Sequence, residues 1–464
     1  MGVGWRGPVP GTASTWRDGG QTVARRPTDT VEADPQLYGE ARAMNSTIRS
    51  WIAALAAVAI GVSSLGAAGG GEAAAAHAAS PAGAAFYPEQ WNLKAIRAKA
   101  GWPVEPLPAT PDDEVLVAIV DTGIDFTHPD IGIRRNPDGT PGNGGLVDLE
   151  KSTSLIEEVA PNTPCELEPG VKEPGIAYRA DVSRDRIDEL TAAANYSTKL
   201  VMDFHSHGTG VSGLIASNAE WLAGVTQHAT LFSVKVHGMG RQNCLSVYLE
   251  GIEYAAEQGA DVIHLSIPFE FDELLWPGAV ARVNASLAYA HGLGSILVTP
   301  AGNAMPGRPP SDLDEGTMFR FCEGDYVICV GATGPASADL VAEPYWDEIA
   351  AYSNYGSPID VVGPGGTTAV PVRLTCSTHT EFQGAPQAPC RAGEKTWFST
   401  GTSFGGAATS GLAALLSGLV PDATPDEVET LIKDSAVELG EPGDDDYYGE
   451  GRIDVKRAVR LTAR

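Results

Sequence analysis

The chain has 464 residues, with 31 Lys and Arg against 59 Asp and Glu, a formal net charge of −28. Phosphate binding needs clustered cations, so this balance excludes a nucleic-acid partner and describes an acidic, well-solvated surface. The length allows two or three domains, or one large α/β unit.

Residues 1–43 are rich in Gly, Pro, Arg and Thr and lack apolar periodicity, as expected of a disordered or untranslated extension. Met44 then opens MNSTIRSWIAALAAVAIGVSS. Arg49 supplies a positive start, Trp51 to Val62 an apolar run, and Ala76-His77-Ala78 a small-x-small cleavage site. This pattern predicts a signal peptide over 44–78, with Met44 as the start and a mature chain from Ala79. The apolar run is shorter than the roughly 20 residues a membrane span needs, so no anchor should remain after cleavage. The expected location is secreted and extracellular.

Residues 79–114 form a Pro-rich N-terminal arm, and 115–464 read as the main domain. Val115–Val120 is a continuous apolar run, the mark of a strand buried on both faces of a parallel sheet. Similar runs recur at Leu231–Val236, Val262–Ile267, Ser295–Val298, Val327–Val330 and Asp360–Val362. Helical spacing appears at Ser246–Gln258 and Pro277–Ala290. Thr424-Pro425-Asp426-Glu427 is a capping box that opens a helix burying Val428, Leu431 and Ile432. Strand–helix alternation predicts an α/β fold with a doubly wound, mostly parallel sheet. Residues 134–199, rich in Gly, Pro and acid, break the pattern and read as an insertion on the sheet's rim.

All six cysteines follow the predicted cleavage site. An even count in an exported chain suggests disulfides. Nearness pairs Cys322 with Cys329 and Cys376 with Cys390, leaving Cys165 for Cys244, although six free thiols or other connectivities remain open.

Three polar motifs sit at strand ends and helix starts. Asp121-Thr122-Gly123 follows the buried run Val115–Val120, His207-Gly208-Thr209-Gly210 precedes an apolar helix, and Ser403 opens the helix Phe404–Leu416. Helix N-terminal N–H groups there would favour a developing oxyanion. Gly401-Thr402-Ser403-Phe404-Gly405 also reads as the G-x-S-x-G elbow of esterases. That elbow needs its histidine after the serine, and no histidine lies between Phe404 and Arg464. The order Asp, His, Ser is the one subtilisin uses. His205 and His207 with Asp121 offer no third ligand at a recognisable metal spacing.

From about Tyr87 to Val459 the chain resembles the subtilisin-like (subtilase, S8) serine proteases. VAIVDTGIDFTHPD matches the family's aspartate motif at Asp121, HGTGVSG the histidine motif at His207, TPAGN the oxyanion motif at Asn303, and GTSFGGAATSG the serine motif at Ser403. The resemblance implies a three-layer αβα fold and a serine endopeptidase that cleaves peptide bonds through an acyl-enzyme. It gives Asp121, His207 and Ser403 catalytic roles and makes Asn303 an oxyanion donor. Substrate would lie extended between Arg241-Gln242-Asn243 and Ser266-Ile267-Pro268, with Gly302 beside it. No cofactor is implied as required. Asp130 matches a carboxylate that binds calcium in some relatives, so calcium is possible. Partners would be polypeptide substrates, and the chain a monomer. Departures from the family pattern are Gly210, Phe404, Ala407 and Pro268. The alternative is a non-catalytic or weakly active homologue that binds peptides.

Overall fold

The computed structural model describes residues 80–108, 110, 113–156, 165–168, 170–177, 201–238, 242–266, 269–304, 307–341, 345–380 and 387–463. They fall in the unit Glu72–Arg464. The extension 1–43, the signal peptide 44–78, Arg241, Ile267 and Pro268 lie outside the described residues.

The strands of the main sheet and of the pair beside it are β1 (Leu116–Asp121), β2 (Ile133–Arg135), β3 (Val147–Asp148), β4 (Thr153–Ser154), β5 (Gly175–Ala177), β6 (Thr230–Lys235), β7 (Gln242–Cys244), β8 (Val262–Leu265), β9 (Ile296–Pro300), β10 (Val327–Gly334), β11 (Glu348–Ile349) and β12 (Val361–Pro364). Among the described residues, ten of them build the main sheet in the order β11-β10-β9-β8-β1-β6-β3-β2, with β12 on β10 and β4 on β6. Every pairing in it is parallel except β10 with β11.

Helices α2 (His207–Ile215), α3 (Leu245–Glu257), α4 (Pro277–Gly292), α5 (Thr402–Leu419), α6 (Pro425–Ser435) and α7 (Val455–Thr462) follow a short α1 (Trp91–Ala95). Alternate residues of a strand point to opposite faces, and β1 feeds two cores. Val117 and Ile119 join a cluster with Val211 of α2, Leu412 of α5, Val428 of α6 and Val455 of α7. Ala118 and Val120 join the other, with Tyr248 and Ile252 of α3 and Val283 and Leu287 of α4. Helices on both faces of one sheet make the three-layer αβα fold. Burial on both sides explains why β1 reads as an unbroken apolar run.

Helix α5 packs tightly against the sheet. Everything from Thr402 to Leu416 is buried, and a Cβ on Gly405 would meet the Gly331 carbonyl oxygen at 2.8 Å. Small residues in this helix therefore serve packing as well as presenting Ser403. At α6 the capping box forms as expected: Thr424 accepts from Glu427 N–H, and the Glu427 side chain accepts from Thr424 N–H. The N-terminal arm is part of the larger core, with Trp91, Leu93, Ile96 and Ala98 all buried in it.

Part of the stretch 134–199 extends the sheet through β2, β3 and β4. Strands of two or three residues are too short to show a period, which is why they escape sequence reading. All three cysteine pairs are disulfides: Cys165–Cys244, Cys322–Cys329 and Cys376–Cys390.

Candidate active site

Parallel strands leave a crevice beyond their carboxyl ends. Asp121 ends β1, Ser266 follows β8, and Gly302 and Asn303 follow β9. These residues line one cavity of about 210 Å³ together with His207, Ser403, Thr122, His205, His237, Pro300 and Thr402. A second hollow of about 270 Å³ shares His205, His207, Asn303 and Ser403, and adds Trp397, Ser399 and Phe404 among others. His207, Asn303 and Ser403 thus border both hollows.

Both Asp121 oxygens lie 2.9 Å from His207 Nδ1. Asp121 is 1% exposed and also accepts from the Thr122 N–H at 2.6 Å. Burial alone would raise its pKa. The charge and hydrogen bond of His207 and the Thr122 N–H outweigh burial and hold the carboxylate below its ordinary range. For His207, burial works to lower the pKa, and Asp121, through charge and hydrogen bond, more than reverses it. The imidazole therefore titrates above its usual value.

His207 opens α2 directly after Ser206, whose φ of 82° is left-handed. A non-glycine residue there carries strain, and the restraint comes from Asp203. That carboxylate is fully buried. It accepts from His205 N–H (2.8 Å), Ser206 N–H (3.0 Å), Thr122 Oγ1 (3.0 Å), Thr209 N–H (2.9 Å) and Thr209 Oγ1 (2.7 Å). Thr122 Oγ1 in turn accepts from Gly208 N–H at 2.9 Å. A Cβ on Gly208 would lie 2.1 Å from the Gly123 carbonyl oxygen, so only glycine lets the two segments touch. Asp203 and Thr122 together lock the histidine turn to the aspartate turn. Sequence reading passed over Asp203. Its available signal is an acid four residues before the histidine, where a short carboxylate can reach free N–H groups at a helix start.

Around His207 stand three other imidazoles, all pushed down by burial: His205 to about 4, His237 to about 3 and His264 to about 4. His237 meets the Tyr248 hydroxyl at 3.0 Å and His264 meets Ser410 Oγ at 2.9 Å.

Ser403, 8% exposed, is the second residue of α5, among the N–H groups that a helix start leaves without internal acceptors. Asn303 Oδ1 accepts from Thr402 N–H at 2.9 Å and Thr402 Oγ1 at 3.0 Å. With its oxygen so engaged, the Asn303 side chain turns its Nδ2 donors away from Thr402.

Of the other residues singled out from sequence, Gln242 and Asn243 lie on β7, and Asn243 is buried with its Oδ1 accepting from Gly238 N–H at 3.2 Å. Ser266 is buried on the cavity wall. Asp130 is fully buried and accepts from the backbone N–H groups of Glu220 (2.7 Å), Trp221 (2.8 Å) and Leu222 (3.0 Å). Its oxygens brace that loop. Among the described residues no group of three or more His, Cys, Asp or Glu is placed to hold a metal.

Residues 112–451 match the subtilase family. The chain belongs to that family of serine proteases. It is 29% identical over 261 residues to a thermophilic serine proteinase of Bacillus sp. (strain AK1), covering 56% of this chain and 53% of the relative. With subtilisin DY of Bacillus licheniformis it shares 26% over 260 residues, 56% of this chain and 79% of the relative. The chain thus spans about half of the first relative's length and about four-fifths of the second's. In fold it is similar to the epidermin leader peptide processing serine protease of Staphylococcus aureus. The TM-score is 0.57 at 19% identity, over 82% of each chain.

Proposed function

We propose that this protein is an exported serine endopeptidase that uses Asp121, His207 and Ser403 as its triad. The observation that carries the reading is buried Asp121 bonded to part-buried His207, which opens onto the same cavity as Ser403 at a helix start. Nδ1 donates to Asp121, which leaves Nε2 as the basic nitrogen. Ser403 Oγ attacks the scissile carbonyl as Nε2 takes its proton, and Asp121 stabilises the imidazolium. Asn303 Nδ2 and the Ser403 N–H receive the developing oxyanion. Collapse passes the proton to the leaving amine and leaves an acyl-enzyme, which water then hydrolyses by the same steps. Substrates are polypeptides crossing from one hollow to the other over Ser403.

Export is supported by the signal pattern of 44–78 and by three disulfides, which persist in oxidising compartments. Neither a metal nor a cofactor takes part in these steps. Two measurements test the reading together: covalent labelling of Ser403 by a fluorophosphonate, and digestion of casein. Labelling that persists in Ser403→Ala, or casein cleavage undiminished by that change, overturns the assignment.

A further inference from the structure

A strand of the chain itself lies on the segment where the endopeptidase reading expects substrate. Among the described residues, β7 pairs with one strand only, β5. The two are antiparallel, with Gly175 opposite Cys244, Ile176 opposite Asn243 and Ala177 opposite Gln242. Leu245 N–H donates to the Pro174 carbonyl at 3.0 Å, which continues the register by one residue. Facing pairs in an antiparallel ladder alternate between bonded and unbonded. Ile176 therefore turns its N–H and C=O to Asn243 and uses the main-chain groups that an added peptide strand would need.

One end of β5 is firmly held. Cys165 is bonded to Cys244 and accepts from Glu173 N–H at 3.0 Å through its carbonyl. Glu173 is itself buried. Its carboxylate receives Ser246 N–H and Oγ in the first turn of α3, where the helix dipole favours an anion, and pairs with Arg282 of α4 at 3.0 Å. From this anchor beside Cys244 the strand runs back to Gln242. That is the end of β7 nearer in sequence to His237, which lines the catalytic cavity with His207. The insertion is clamped at the Cys244 end and lies extended along β7, on the main-chain groups of Asn243.

We propose that β5 is a tethered stand-in for substrate, an intramolecular competitor that must leave β7 before an extended polypeptide can pair there; this rests on the endopeptidase reading above. The tether keeps the strand at high local concentration, so a few main-chain hydrogen bonds suffice to compete. A substrate that reaches β7 must displace β5. A small ester that contacts only the surroundings of Ser403 need not.

The experiment replaces Ile176 by proline, which removes the N–H donated to Asn243. A fluorescein-labelled peptide of eight residues, chosen because the wild-type enzyme cleaves it, is bound to Ser403→Ala protein with and without Ile176→Pro. Loss of one hydrogen bond from the competitor should tighten peptide binding about fivefold. Cys165→Ser with Cys244→Ser, which loosens the anchor, should also tighten it. In active enzyme the same changes should lower KM for the peptide and leave turnover of p-nitrophenyl acetate unchanged, which also shows that the variants fold. Unchanged or weaker peptide binding in both variants, with ester turnover intact, overturns the proposal and makes β5 a fixed wall of the groove. A wild-type protein that neither cleaves the peptide nor reacts with a fluorophosphonate overturns the endopeptidase reading, and the proposal with it.

Discussion

His207 receives Asp121 on a single nitrogen, both carboxylate oxygens lying 2.9 Å from Nδ1. That contact selects the tautomer in which Nε2 is free to act as base. An amide at 121 could present its NH2 to the ring and favour the opposite tautomer. Asp121→Asn should therefore lower kcat on a peptide substrate by about 10⁴ with KM little changed. Steady-state kinetics of the folded variant checks this.

The same pair sets the pH dependence. Burial draws the His207 pKa down and Asp121 raises it further, so the imidazole titrates above its ordinary value of 6.5. The base must be neutral, and kcat/KM should fall as pH drops through that raised pKa. His205, His237 and His264, held neutral near 4, 3 and 4, add no second step between pH 5 and 9. The contribution of His207 to stability should move the other way. A raised folded pKa contributes stability that is complete below the unfolded value near 6.5 and is lost as pH rises through the folded pKa. A pH–rate profile that is flat from about pH 5 to 9 contradicts a histidine base.

Asn303 is aimed by Thr402, whose N–H and hydroxyl both bind its Oδ1. Asn303→Ala should reduce kcat by about 10²–10³, with KM nearly constant, because the donor acts only once charge develops; the magnitude is that known for the equivalent amide of subtilisin. Thr402→Val keeps the N–H bond and loses the hydroxyl, so its fall should be smaller. Equal changes in kcat and KM for Asn303→Ala would make it a pocket-shaping residue instead.

Asp203 carries five hydrogen bonds without touching the cavity. Asp203→Ala leaves buried donors of His205, Ser206, Thr209 and Thr122 unpaired, at a cost of about 3 kcal/mol or more. Denaturant unfolding should show that loss. Asp203→Asn, which retains acceptor capacity on one oxygen, should recover part of both stability and kcat.

The Cys165–Cys244 bridge spans 79 residues. On the chain-entropy account, replacing both cysteines by Ser should lower stability by up to about 4–5 kcal/mol. Peptide mapping without reduction should recover the two cysteines together.

Sequence reading singled out the residues proposed above as the triad, which line one cavity, because each stands inside a local pattern. Asp121 closes an apolar run, His207 opens a helix, Ser403 opens another, and the order of the three excludes the esterase elbow. Their supports were hidden for a physical reason. Asp203 and Thr122 act through contacts between segments about 80 residues apart, and nothing in either segment alone announces the other. The insertion was legible as a break in periodicity and through its cysteine. Its pairing with β7 was not, because three residues carry no period and the match is made by main-chain groups that every residue has.

The long disulfide has a bearing on durability. A protease must survive its own kind, and a surface insertion is the usual place for a first cut. Any single break between Cys165 and Cys244 leaves the two fragments covalently joined. Asp121 would then sit on one fragment and Ser403 on the other, with His207 beside Ser403 when the break precedes it, all still held by the same ten-stranded sheet. A nicked molecule would migrate as one species without reductant and as two with it, and ageing of the enzyme would be invisible on a gel run under oxidising conditions.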